Sequence, residues 1–178
     1  MRELKDENML MTCAVVSNWL NYSSDWQRYF DYINVMSYDH DSFTSTPVQH
    51  ASYDHFVSDL NYWVNQYGTP KNKIIGGLPF YGYTWDEGVQ PDAVRSIRFH
   101  GVISAFDGKY NLTATDIADK DNVSKTYYNG RITIGRKCMY VLDNDFAGVM
   151  IWQLFQDAYE DDLQLIKVVG EKIGSERL

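Results

Sequence analysis

Four runs of mainly apolar residues recur along the chain and predict β-strands. They cover residues 9–16, 31–39, 73–85 and 146–154, and each contains β-branched side chains, which favour an extended backbone. Because polar residues seldom interrupt them, the runs are typical of parallel strands that are covered on both faces. The chain is therefore expected to build its core around a parallel sheet.

The segment after the second run carries the clearest helical pattern. Ser52 or Asp54 is placed to cap its start, and Gly68 followed by Pro70 ends it. Apolar side chains recur between these signals at helical spacing: Phe56, Leu60, Trp63, Val64 and Tyr67. We expect one amphipathic helix here.

Other segments between the runs are also predicted to be helical. A short helix follows the possible caps Ser24 and Asp25, a second covers residues 130–141, and a third runs from Asp161 or Asp162 to about residue 173. Residues 1–7 are typical of the last turns of a further helix, which suggests a cut start. The pattern is lost at about 86–129, which reads as a long excursion with local structure.

The order of these elements predicts an α/β fold. Strands and helices alternate as β-α-β-α-β, then the excursion, then α-β-α, and alternation of this kind implies a parallel sheet with right-handed crossovers. Four such units in 178 residues are about half of a TIM (β/α)8 barrel, which takes roughly 250 residues. A flavodoxin-like open sheet is the structural alternative.

Composition and charge limit the classes of molecule that the protein is expected to bind. The net charge of −8 and the pI near 4.8 argue against nucleic acid and anionic membranes as partners. No apolar run approaches the roughly 18 residues of a membrane span, and the charged start carries no signal peptide, so the localisation stays unknown. The 14 Tyr, 8 Phe and 5 Trp offer more aromatic faces than a core of this size needs, and such faces suit sugars.

Cysteines and histidines give no sign of a metal or cofactor. Cys13 and Cys138 lie far apart inside apolar segments, so buried free thiols are expected rather than a disulfide. The four histidines show no ligand spacing: His40, His50, His55 and His100. We predict no metal site and no cofactor.

Polar and aromatic residues stand where three of the predicted strands end. The second run closes on Tyr38 and Asp39, the third on Tyr81 and Trp85, and the fourth on Trp152. In α/β folds, ligands bind at the carboxyl ends of the strands. These side chains are therefore the candidate site.

Three sequence motifs together resemble the sixth, seventh and eighth strands of family 18 glycoside hydrolases, the chitinases and related endo-β-N-acetylglucosaminidases. They are Met-Ser-Tyr-Asp at residues 36–39, Gly-Leu-Pro-Phe-Tyr-Gly at 77–82 and Gly-Val-Met-Ile-Trp-Gln at 148–153. The resemblance implies that residues 1–178 are the carboxyl-terminal half of a (β/α)8 barrel, strands 5 to 8, with the excursion as an insertion between the last two strands. Full-length relatives of this family are usually secreted or belong to the cell envelope.

The resemblance also implies roles for single residues in binding chitin or an oligosaccharide that contains N-acetylglucosamine. Tyr38 would hydrogen-bond the N-acetyl group, Asp39 would contact sugar hydroxyls or neighbouring site residues, and Met36 would pack against the sugar. Trp152 would form the floor under the ring, and Tyr81 would line the cleft. Hydrolysis in this family is substrate-assisted and retaining, with the acetamido oxygen of the sugar as nucleophile. A further stacking residue, Trp85, has no family motif behind it.

The sequence departs from the family pattern in one decisive respect. The family draws its general acid from the glutamate of an Asp-x-x-Asp-x-Asp-x-Glu motif, which does not occur here, and the polar cluster at residues 39–41 does not replace it. The first four units are therefore expected to lie upstream, and the isolated chain is expected to be inactive. Tyr83 also stands where many relatives carry an arginine.

Two alternatives to an enzyme fragment stay open. One is a non-catalytic, chitinase-like protein that binds glycans. The other is a half-barrel that forms a homodimer, because strands at residues 9–16 and 146–154 would be the exposed edges of an open sheet.

Overall fold

A parallel sheet of four strands lies at the centre of the fold. The computed structural model describes residues 9–17, 25–42, 44–87 and 95–174. The strands are hydrogen-bonded to one another in chain order: β1 (Thr12–Val16), β2 (Tyr32–Met36), β3 (Ile74–Pro79) and β8 (Gly148–Trp152). Because all pairs are parallel, the carboxyl ends of the strands meet at one edge of the sheet.

The strand order argues against a doubly wound sheet. A flavodoxin-like sheet reverses direction at a switch point, whereas these four strands follow one another without a reversal. That progression is what an arc of a (β/α)8 barrel requires.

Helix α1 (Tyr53–Tyr67) confirms the clearest helical prediction. The Ser52 side chain accepts a hydrogen bond from the His55 N–H, and Gly68 ends the helix in the left-handed region with φ 63°. Phe56 packs so closely on β3 that a Cβ on Gly76 would collide with its ring. A glycine is therefore required in the strand at this contact.

The predicted helix over residues 130–141 is confirmed as α4 (Arg131–Asp143). The last helix starts later than predicted, because α5 covers only Leu165–Val169 and continues into a π-helical turn at Gly170–Gly174. The carboxylate of Asp157 accepts hydrogen bonds from the backbone N–H groups of Leu165 and Ile166. This cap fixes the helix start, so neither Asp161 nor Asp162 begins it.

The single strand predicted over residues 73–85 is wrong, because the chain changes sheets at Phe80. Up to Pro79 it pairs in parallel with β8, and from Tyr81 it forms β4 in a separate antiparallel sheet. The backbone N–H of Phe80 donates to Trp152 O over 2.8 Å, and Phe80 O accepts from Phe99 N over 3.1 Å. Phe80 thus joins the two sheets.

The second sheet has the order β5-β4-β7-β6. Its strands are β4 (Tyr81–Thr84), β5 (Ser96–Arg98), β6 (Asn122–Val123) and β7 (Thr126–Tyr127). Helices α2 (Phe99–Phe106) and α3 (Ala114–Asp119) lie between β5 and β6. The predicted excursion therefore contains local structure, as expected: two helices and three short strands in the part that is described.

Strand β1 is more exposed than its apolar sequence predicts. Only Val15 of its five residues is buried, because within the described residues the strand pairs with β2 on one side only. The short helix predicted after Asp25 is a 3-10 helix over Trp26–Tyr29. The helix end predicted at residues 1–7 and the cap predicted at Ser24 lie outside the described residues.

No helix in the described ranges is long and apolar enough to cross a membrane. Cys13 and Cys138 are both free thiols, as predicted, although only Cys138 is fully buried. Burial raises the pKa of Cys13 to about 11 and that of Cys138 to about 12.

Candidate active site

Tyr38 lies just past the end of β2, with its ring against β3. A Cβ on Gly77 would lie 2.9 Å from the Tyr38 ring and 2.7 Å from Val35 O, so only glycine permits this approach. The Tyr38 side chain is buried, and its hydroxyl has no hydrogen-bond partner in the described part of the chain. Burial, and next the charge of Asp39, raise the pKa of Tyr38 above its usual range, so the hydroxyl stays protonated and can donate.

Asp39 carries a carboxylate that two tyrosine hydroxyls bind. Tyr81 donates to Oδ1 over 2.5 Å, and Tyr83 donates to the same oxygen over 3.0 Å. Burial opposes ionisation of Asp39, but the hydrogen bonds from the Tyr81 and Tyr83 hydroxyls outweigh it and lower the pKa. The site therefore holds an anion beside the Tyr38 hydroxyl.

His50 is neutral and fixes the backbone of Asp39. Burial lowers the pKa of His50 despite the nearby carboxylate. Its Nδ1 lies 3.2 Å from the Asp39 N–H and 3.6 Å from Oδ1, and since an N–H can only donate, Nδ1 is the acceptor. The ring proton then lies on Nε2, which faces Tyr81 O at 3.3 Å.

A row of aromatic side chains extends from Tyr38 along β4. Ring centroids are 6.1 Å apart for Tyr38 and Tyr81, 5.9 Å for Tyr81 and Tyr83, and 6.5 Å for Tyr83 and Trp85. Trp85 at the far end donates through Nε1 to Thr44 O over 3.2 Å. The contact of Tyr83 with Asp39 was not predicted from the sequence, although residues 81, 83 and 85 share one face by the alternation of a strand.

The other predicted site residues lie at the same sheet edge. Met36 packs in a small apolar cluster with Tyr38, Ala51 and Tyr81. Trp152 ends β8, in register with Pro79, and its side chain is 55% exposed. Core packing is therefore not the role of this indole.

Hydrogen bonds from side chains that were not predicted to matter hold the loop that carries His50. Lys137 Nζ donates to Ala51 O over 2.8 Å and to Asn129 Oδ1 over 2.7 Å, and Gln49 donates to Tyr128 O over 2.6 Å. Burial lowers the pKa of Lys137 to about 7, against the opposing effect of nearby Asp121 and Asp59. No sequence pattern marks this lysine, because it lies inside an apolar helix pattern.

Within the described ranges, no three His, Cys, Asp or Glu side chains gather in a way that could hold a metal ion. What the site offers is a protonated phenol, an anion and aromatic faces. Such groups bind neutral, hydroxyl-rich and amide-bearing ligands.

The chain belongs to glycosyl hydrolases family 18, whose family model matches residues 1–157. A chitinase structure from Bacteroides thetaiotaomicron is 57% identical, with a TM-score of 0.90, and the match covers 98% of this chain and 55% of that chain. The family 18 chitinase ChiB from the chitin utilization locus of Flavobacterium johnsoniae is 33% identical, with a TM-score of 0.79, over 96% of this chain and 52% of that one.

A curated relative, the oviduct-specific glycoprotein of Bos taurus, is 26% identical over 163 residues, which are 74% of this chain and 30% of the relative. The chain thus spans about half the length of the solved chitinases and about a third of this relative. These likenesses show that the fold is of the TIM-barrel type, and the flavodoxin-like alternative is wrong.

Proposed function

We propose that this chain binds β-1,4-linked N-acetylglucosamine oligosaccharides, or glycans that contain them, at the carboxyl edge of its parallel sheet. The observation that carries the proposal is the buried Tyr38 hydroxyl, which has no partner in the described chain and stands next to the Asp39 anion. A buried donor without a partner is costly, and a ligand acceptor would satisfy it. The 57% identical relative is a chitinase, which supports this ligand class.

The geometry suits substrate-assisted, retaining hydrolysis of such a chain. Tyr38 donates to the acetamido group and orients it, so that its oxygen attacks the anomeric carbon as the glycosidic bond breaks. The cyclic intermediate is cationic, and the Asp39 carboxylate stabilises positive charge near the acetamido group. Met36, Tyr81, Trp85 and Trp152 supply apolar faces for the sugar rings.

A proton donor for the leaving group is the part that this chain does not provide in the family's usual form. The sequence contains no Asp-x-x-Asp-x-Asp-x-Glu motif, and the relatives extend over nearly twice its length. In this proposal, residues 1–178 are one domain, the carboxyl-terminal half of the barrel with the insertion at about 86–129, and the acid comes from the other half. The chain alone therefore binds oligosaccharide and does not cleave it.

Self-association is a second candidate property, favoured by the two sheet edges. Within the described residues, β1 and β8 each pair on one side only, and such edges readily pair with another chain. A homodimer through these edges would leave the Tyr38 site accessible at the carboxyl ends of the strands.

The direct test of the binding proposal is calorimetric titration with N-acetylchitotetraose. Wild type is expected to bind, and Tyr38→Phe to bind about tenfold or more weakly, because one buried hydrogen bond to the ligand is lost. Tyr110→Phe is the matched control, since Tyr110 is 67% exposed in a turn between α2 and α3 and should leave binding unchanged. Equal affinity of wild type and Tyr38→Phe would refute the role of Tyr38.

A further inference from the structure

Asp59 is a buried carboxylate on α1 that contacts the residues on either side of the Tyr38–Asp39 pair. It is fully buried, and its Oδ2 accepts a hydrogen bond from Ser37 Oγ over 2.6 Å. The same oxygen lies 2.9 Å from His40 Nε2. Since an ionised carboxylate only accepts, Nε2 of His40 carries the proton and donates. One oxygen atom thus holds both ends of the dipeptide.

The dipeptide needs such support because its backbone is unusual. Asp39 has φ 68°, in the left-handed region that non-glycine residues seldom adopt. Two backbone contacts assist: the Asp39 N–H reaches His50 Nδ1 over 3.2 Å, and the His40 N–H reaches His50 O over 3.0 Å. Strained residues persist only where the surrounding structure holds them, and Asp59 adds to that support through the side chains of Ser37 and His40.

Fold stability alone does not account for an acid at position 59. Burying a carboxylate among apolar side chains is costly, and a packed apolar residue often serves stability as well. What the carboxylate binds is Ser37 and His40, and the His55 ring lies on the His40 ring in a tilted arrangement, with 4.3 Å between centroids.

We propose that Asp59 is a positioning residue that sets the Tyr38–Asp39 backbone through Ser37 and His40, and so aims the Tyr38 hydroxyl and the Asp39 carboxylate. Its importance for sugar binding rests on the proposed function. Its effect on Asp39 does not depend on that function, because the Asp39 carboxylate must be held in place for Tyr81 and Tyr83 to reach the same oxygen.

The test measures two properties of the full chain: the pKa of the Asp39 carboxyl by carbon-13 NMR, and the affinity for N-acetylchitotetraose by calorimetry. Asp59→Ala removes both hydrogen bonds, so the Asp39 carboxylate should drift from its tyrosine donors. Its pKa should then rise toward the ordinary value, and the affinity should fall about tenfold. Asp59→Asn keeps an amide oxygen that can accept both hydrogen bonds and should restore most of both properties.

Asp157→Asn is the matched control, since Asp157 is also a buried aspartate, but its carboxylate caps α5 and not the site. It should lower the melting temperature and leave the pKa of Asp39 and the affinity unchanged. If Asp59→Ala does not fold, Ser37→Ala can replace it, because it removes one of the two hydrogen bonds. The rise in the pKa of Asp39 and the loss of affinity should then be smaller.

Two outcomes separate the proposals. A folded Asp59→Ala or Ser37→Ala chain with the wild-type pKa at Asp39 would overturn the positioning role. If wild type does not bind the oligosaccharide, the proposed function fails, and the pKa of Asp39 still decides the role of Asp59.

Discussion

At the scale of single residues, the candidate site buries a polar group at a cost in stability. The Tyr38 hydroxyl is buried without a partner in the described chain, while the nearby Tyr81 and Tyr83 hydroxyls both bind Asp39. A buried hydroxyl without a partner costs about 1–3 kcal/mol. Tyr38 and Asp39 could be found from the sequence, because they end an apolar run. Their support by His50 and Asp59 could not, since those contacts join residues 11 and 22 positions apart.

Removing the Tyr38 hydroxyl should therefore not destabilise the protein. For Tyr38→Phe we expect an unfolding free energy equal to wild type or up to about 1 kcal/mol higher in urea titrations. Tyr128→Phe is the contrasting variant, since the buried Tyr128 hydroxyl donates to Ile117 O over 2.7 Å. Its loss should cost about 1–2 kcal/mol. Equal destabilisation by both substitutions would show that Tyr38 has a partner within the protein.

At the scale of elements, local signals and distant contacts determined different parts of the fold. Helix α1 was predictable because Ser52 and Gly68 mark its two ends within the sequence. The change of sheets at Phe80 was not, because Tyr81 to Thr84 choose their partners from strands β5 and β7, at least 13 positions away. The start of α5 likewise depends on the side chain of Asp157 eight residues earlier, and not on a local cap.

The stability of the protein should depend on pH through Lys137 of helix α4, which donates a hydrogen bond to the loop that carries His50. Its pKa of about 7 lies below the usual 10.5, so the unfolded chain binds a proton that the folded chain releases above pH 7. The unfolding free energy should then rise between pH 7 and 9, by about 1–3 kcal/mol. Below pH 7 both states are protonated, and this contribution levels off.

Urea titrations at pH 6, 7.5 and 9 measure this slope, which is the change of the unfolding free energy with pH. Lys137→Met should flatten it, whereas Lys167→Met, which removes an exposed lysine paired with Asp161, should keep it. A slope that survives in Lys137→Met would show that another group causes it.

At the scale of the whole molecule, the family and the TIM-barrel type of fold followed from three strand-end motifs read together. The sequence did not reveal the second antiparallel sheet, because its two- to four-residue strands are too short to leave a periodic pattern. In the part of the chain that the structure describes, the parallel sheet ends at β1 and β8, and Val15 is the only buried residue of β1. Pairing at these edges is the physical basis for the expected self-association.

Sedimentation velocity over a range of concentrations tests that expectation. Wild type should form dimers, and Ala14→Lys should shift the chain toward monomer, because a lysine on an edge strand opposes pairing. Ser104→Lys adds the same charge at an exposed position on α2 and should not change the distribution. A wild-type chain that stays monomeric throughout would rule out the edge-paired dimer.

The central claim is that the Tyr38–Asp39 edge recognises the acetamido group of an N-acetylglucosamine unit. The most direct measurement varies the ligand: calorimetric titration of wild type with N-acetylchitotetraose and with cellotetraose, which carries a hydroxyl in place of each acetamido group. We predict binding of the first and at least about tenfold weaker binding of the second, since the acceptor for Tyr38 is lost. Equal affinity for both sugars, or binding of neither, would contradict the claim.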